Sequence, residues 1–161
     1  MKHVLAGVAA LSLISCQSTG PHDGSLGSAP RSCSSEADLE SVAATVRAFY
    51  DALARDDGAA VRGLTTETFY AFEIGKRYSG PELSKLIADA HASGRIMQWN
   101  IGTVDARIDC SVAFAAWENV GAAGTAARLE PRAWLESALL VRREGRWRID
   151  MLHSTPKDPR K

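Results

Sequence analysis

The residues best placed for chemistry are Glu136 and His153. They lie on two apolar runs, Ala133 to Arg143 and Trp147 to Ser154, separated by Glu144-Gly145. Both runs have strand character, and the dipeptide suits a hairpin turn. A two-residue turn sets Arg142 opposite Trp147, Leu140 opposite Ile149, Ala138 opposite Met151 and Glu136 opposite His153. A bulged three-residue loop would change that register. A carboxylate beside an imidazole orients the ring and raises its basicity, as a general base requires. The same pair can instead be structural, satisfying two polar groups at a cavity rim. Trp134, Trp147 and Met151 share the face in this pairing, and Tyr50, Tyr70 and Glu73 are further candidates to line a pocket. No H-x-x-x-H or C-x-x-C spacing, nucleophile elbow or phosphate loop occurs in the sequence, so neither a metal nor a cofactor is expected.

The elements that must hold these residues follow from periodicity. Leu39, Val42, Val46, Phe49, Tyr50 and Leu53 recur at helical spacing over Glu36 to Arg55, after a capping pattern at Ser35 and Asp38. Asp56-Asp57 can end that helix and cap a short second one, Gly58 to Leu64. Thr65 to Gly75 is extended, and Gly80-Pro81 opens a third helix that stops near Gly94. Trp99 to Ile108, with a break near Val104-Asp105, Cys110 to Asn119 and the two runs above complete a sheet. Helices first and antiparallel strands after define the α+β class.

The chain has 161 residues, enough for one domain with a real core, and its formal net charge is zero. No basic stripe marks it for nucleic acid. Arg142, Arg143, Arg146 and Arg148 cluster around the hairpin turn as a solvated tip.

The N-terminal segment carries different chemistry. Val4 to Ile14 is an apolar run within the ~7–15 residues of a signal-peptide core. It is shorter than the about 20 residues needed to span a bilayer. It ends in Leu13-Ile14-Ser15-Cys16, which resembles the lipobox of bacterial lipoproteins. The resemblance implies a diacylglyceryl group on the Cys16 thiol, cleavage before Cys16 and acylation of the new amino terminus. Two or three acyl chains would anchor the protein stably to a membrane. A plain signal peptide cleaved elsewhere is the alternative. Gln17 replaces the aspartate that retains such proteins in the inner membrane, which implies the outer membrane, facing the periplasm, in a Gram-negative cell. The expected organisation is a signal peptide over 1–15, the lipidated cysteine and a Ser-, Gly- and Pro-rich tether over 16–34, a domain over 35–156 and a tail over 157–161. In an oxidising compartment Cys33 and Cys110 can pair, or remain two thiols.

Three stretches carry a family resemblance: Val46 to Asp57, Tyr78-Ser79-Gly80, and Gly145 to Ser154. Together they resemble the nuclear transport factor 2-like superfamily, in particular its SnoaL-like, ketosteroid isomerase-related group. The resemblance implies a cone in which a curved antiparallel sheet wraps around helices, with a pocket at its mouth. It also implies a possible homodimer through the outer face of the sheet. Ketosteroid isomerase-like members carry a tyrosine on the first helix and an aspartate base before the third. Here Phe49 and Ala71 stand near those positions. The leading expectation is therefore an anchored lipoprotein whose pocket binds a small, partly apolar ligand without obligatory catalysis. The competing expectations are an acid/base enzyme of isomerase, cyclase or hydratase type using His153 with Glu136, and a non-catalytic interaction or dimerisation module.

Overall fold

A computed structural model describes residues 35–157. The expectations for Cys16, Cys33 and the segments before residue 35 lie outside the described residues. Helix α1 spans Glu36–Ala54. Its capping box forms as the sequence implies: the Ser35 hydroxyl accepts from the Asp38 amide, and the Asp38 carboxylate accepts from the Ser35 amide. The face bearing Val42, Val46, Phe49 and Leu53 is buried. Asp56 takes a left-handed φ of 55° and breaks the helix. Asp57 then caps α2, Gly58–Leu64, by accepting from the Ala60 amide at 2.9 Å. Helix α3, Gly80–Ala92, begins behind Ser79, whose amide and hydroxyl both donate to Glu82.

Seven strands form one sheet: β1 Thr65–Glu73, β2 Lys76–Ser79, β3 Arg95–Gln98, β4 Asp105–Asp109, β5 Val112–Thr125, β6 Arg128–Arg143 and β7 Arg146–Lys157. Their order is β2-β1-β7-β6-β5-β3, with β4 also paired to β5. The sheet is mixed, because β1 runs parallel to β7 while the other pairs are antiparallel. The expected all-antiparallel sheet is corrected at that one pairing. The expected strand through Trp99 and Ile108 forms only at its far end, as β4; Trp99 to Val104 lies outside the strands apart from an Ile101–Asn119 bridge, and β3 precedes it, with both β3 and β4 paired to the long strand β5. Gly121 permits this, since a Cβ there would lie 1.8 Å from the Gln98 carbonyl oxygen. The curled sheet holds the three helices against its inner face, around Phe49, Leu140 and Ile149.

Glu144 and Gly145 form the expected two-residue turn, both at positive φ, 51° and 77°. The pairing starts as the turn dictates, with Arg142 opposite Trp147 and Leu140 opposite Ile149. It then shifts by one. Leu139 faces Met151, so Asp150 is an extra residue on β7 with no partner on β6. The Thr66 and Thr68 hydroxyls of β1 donate to its carboxylate at 2.5 and 3.0 Å. Every later pair differs from the simple register: Glu136 faces Ser154, and His153 faces Ser137. Arg142 is not part of a solvated tip, because it stacks on Trp147 and donates to Asp38 of α1.

Candidate functional site

Beyond the bulge, β7 turns Leu152 and Ser154 inward and His153 outward, where it is exposed. The Glu136–His153 pair expected from the turn therefore does not form. His153 packs edge-on against Phe72 on the outer face, 6.1 Å between ring centroids. Met151 and Tyr70 are outer-face neighbours across β1 and β7, with Arg77 4.1 Å over the Tyr70 ring. Trp147 faces inward but is packed in the core under Arg142, away from the cavity. These four residues leave the expected pocket set. Tyr50, Glu73, Trp134 and Glu136 remain in it, lining a cavity of about 690 Å³ between α1, α3 and the inner face of the sheet.

Glu136 is the centre of the cavity floor. Its side chain is buried, and its two oxygens are occupied by donors from three elements. The Tyr50 hydroxyl of α1 donates to Oε1 at 2.7 Å. Trp117 Nε1 and Asn119 Nδ2, both on β5, donate to Oε2 at 2.7 and 3.1 Å. Ser154, its cross-strand neighbour, also interacts with it. Burial pushes the Glu136 carboxyl above its ordinary value, and the hydrogen bonds from Tyr50, Asn119, Trp117 and Ser154 pull it back down. Tyr50 is braced by Phe49, Trp99 and Trp117, with ring centroids 5.5, 5.8 and 6.2 Å away. Burial first, and the Glu136 charge second, hold its hydroxyl well above the usual phenol range, so it stays a donor.

Asn119 does a second job. Its Oδ1 accepts from the Asn100 amide at 3.1 Å, so the link between β3 and β4 is tied to the carboxylate cluster. None of Trp117, Asn119 and Ser154 stands out as a site residue in the sequence. A signal for Asn119 exists: it continues the alternating inward series Ala113, Ala115, Trp117, and a polar residue in such a series needs a buried partner.

Glu73 is the second cavity carboxylate. It is half-buried at the end of β1, and burial raises it too. A hydrogen bond from Ser154 opposes that rise, and the nearby Glu136 charge adds to it. The two carboxylates differ in what they can do. Glu136 has both oxygens engaged and serves as a fixed acceptor that orients Tyr50. Glu73 is only partly engaged and sits against the cavity, so it is the group able to exchange a proton with a bound molecule. Among the described residues no group of three or more His, Cys, Asp and Glu side chains is arranged to hold a metal ion.

A curled mixed sheet closed by three helices is the nuclear transport factor 2-like fold. Solved structures match it at low identity. A ketosteroid isomerase-like protein from Erwinia carotovora atroseptica aligns with a TM-score of 0.64 and 20% identity, over 78% of this chain and 100% of that one. An NTF2-like protein from Cytophaga hutchinsonii aligns at 0.61 and 10% identity, over 77% and 100%. The S. rosetta CaMKII hub aligns at 0.62 and 14% identity, over 73% and 95%. No protein-family profile matches the sequence. No curated protein matches it either.

Proposed function

We propose that this chain is a cell-envelope lipoprotein, anchored through acylated Cys16, whose cone binds a small, partly apolar ligand. The observation that carries the binding reading is the cavity of about 690 Å³, apolar along its walls and polar at its floor. Leu53, Leu83, Ile87, Met97 and Trp99 line it, above a carboxylate already hydrogen-bonded to the protein. Such a floor recognises one polar end of a ligand while the walls take an apolar body. The anchor, the signal peptide and a place at the outer membrane facing the periplasm rest on Leu13 to Gln17. Native mass spectrometry of protein extracted from its own cells tests the whole reading. The expected species begins at Cys16, carries acyl mass and retains a small molecule. A mature chain with no acyl mass at Cys16 overturns the anchor, and an empty cavity that takes up no apolar probe overturns the ligand.

Acid/base catalysis is the second reading, and Glu73 is the observation that favours it. A raised carboxyl facing a cavity, beside a phenol that stays protonated, can take a proton from a ligand and return it elsewhere. The enzyme would use Glu73 with Tyr50 and Glu136, not His153.

The outer face of the sheet supports a third element of the proposal, pairing with a second copy of this chain. Tyr70, Met151, Leu139 and Phe114 lie in one cross-strand row, and Phe72, His153, Ser137 and Ala116 lie in the next. Phe114 and Leu135 are about half exposed, at 49% and 52%. A neighbour of the same fold is described as a hub, and another as an association domain.

A further inference from the structure

The cavity is acidic at its floor and basic at its rim. Strands β5 and β6 run outward from Asn119 and Glu136 to their hairpin tip at Thr125 and Arg128. Arg132 lies four residues toward the tip from Glu136, roughly 13 Å along the strand. Arg132 and Arg95 line the cavity, whereas the ammonium of Lys157 is drawn to Glu118 on the outer face of the sheet. Arg95 and Arg132 also line an adjoining cleft of about 330 Å³ with Arg128 and Glu130. Arg95 and Arg128 flank Thr125 from the two neighbouring strands. The rim acid Glu130 is spent on rim cations, pairing with Arg128 at 2.8 Å and Arg132 at 3.0 Å. Arg95 is exposed and has no ion-pair partner among the described residues.

We propose that the ligand is an amphipathic anion, bound with its anionic group at the Arg95–Arg132 rim, its apolar body along the cavity and a neutral end at the Tyr50–Glu136 floor. The assignment rests on the ligand-binding reading above. Charge fixes the orientation. An anion at the floor would meet Glu136 and Glu73 in a water-poor site, where like charges repel strongly. A cation would find the Glu136 oxygens already taken and would have to pass the basic rim. A neutral hydroxyl fits the floor, where it can donate to the Glu73 carboxylate that faces the cavity. An anion at the rim gains Arg95 without displacing an existing partner.

The test is displacement of the neutral apolar fluorophore N-phenyl-1-naphthylamine from the purified full chain by decanoate, decan-1-ol and decylamine. Decanoate is expected to displace the probe at about tenfold lower concentration than decan-1-ol, and decylamine to be weakest. That advantage is expected to shrink with added salt. In the Arg95→Gln/Arg132→Gln double variant, decanoate and decan-1-ol should become equal while decan-1-ol keeps its wild-type value, which also reports that the variant folds. Equal displacement by decanoate and decan-1-ol in the wild type overturns the anion assignment and leaves the pocket reading standing. So does a decanoate preference unchanged in the double variant. Failure of the probe and of all three compounds to bind, by displacement or by direct calorimetry, overturns the pocket reading and this assignment with it.

Discussion

Glu136 is held by more donors than a carboxylate needs for packing, and its burial still raises it above the ordinary value of 4.5. The folded chain therefore keeps a proton that the unfolded chain has already released. Stability from this group is fully present below about pH 4.5 and is lost as pH rises through the folded value. Glu73 acts in the same direction. Glu136→Gln removes the more buried of the two carboxyls. Its amide oxygen can still accept from Trp117 and Asn119, and Tyr50 can turn to accept from its NH₂. The variant's stability relative to wild type should rise as the pH goes up from about 4.5 and level off once the folded Glu136 has ionised, in urea titrations at several pH values. A flat difference would show that Glu136 does not titrate differently in the folded chain. Tyr50→Phe should do the opposite. It removes a donor that favours the ionised form, so the loss of stability with pH steepens. At neutral pH it should cost about 1–3 kcal/mol for leaving a buried acceptor short of a partner.

At the scale of elements, one residue separates the sequence register from the folded one. The helices, their caps and the Glu144-Gly145 turn were legible because each signal is local: Ser35 with Asp38, Asp57 before Gly58, a glycine able to take positive φ. The bulge was not. Asp150 alternates correctly with Ile149 and Met151, and nothing within β7 shows that it has no partner. Its cause lies elsewhere, on Thr66 and Thr68 of a strand that reaches β7 by a parallel, non-local pairing. The candidate site was half legible for the same reason. Glu136, Tyr50, Glu73 and Trp134 point inward whatever happens past residue 149, whereas His153 and Met151 depend on the bulge. The Asp150 contacts can be tested directly. Asp150→Ala and Thr66→Val should each destabilise by about 1 kcal/mol, and the double variant by clearly less than their sum. Additive losses in chemical denaturation would show that the Thr66–Asp150 bond does not hold the bulge.

At the scale of the whole domain, the bulge decides which residues of β7 reach the inner face of the sheet and which reach the outer face. By turning His153 and Met151 outward it completes an apolar band across β1, β7, β6 and β5 on the outer face. By turning Leu152 and Ser154 inward it completes the cavity. A band with Phe72, Phe114, Leu135 and Val120 each more than two-fifths exposed is costly to leave in water, and a second copy of the chain presents a matching surface. Because the band and the cavity lie on opposite sides of one sheet, a change on one should leave the other intact. Phe114→Glu places a charge at the β5 end of the band, on a residue that does not line the cavity. Sedimentation or light scattering at tens of micromolar is expected to show a dimer for the wild type and a monomer for the variant, with binding of the apolar probe unchanged. A wild-type monomer under those conditions would rule out the pairing. Loss of probe binding together with the dimer would mean that the cone takes its shape only when the outer face is covered.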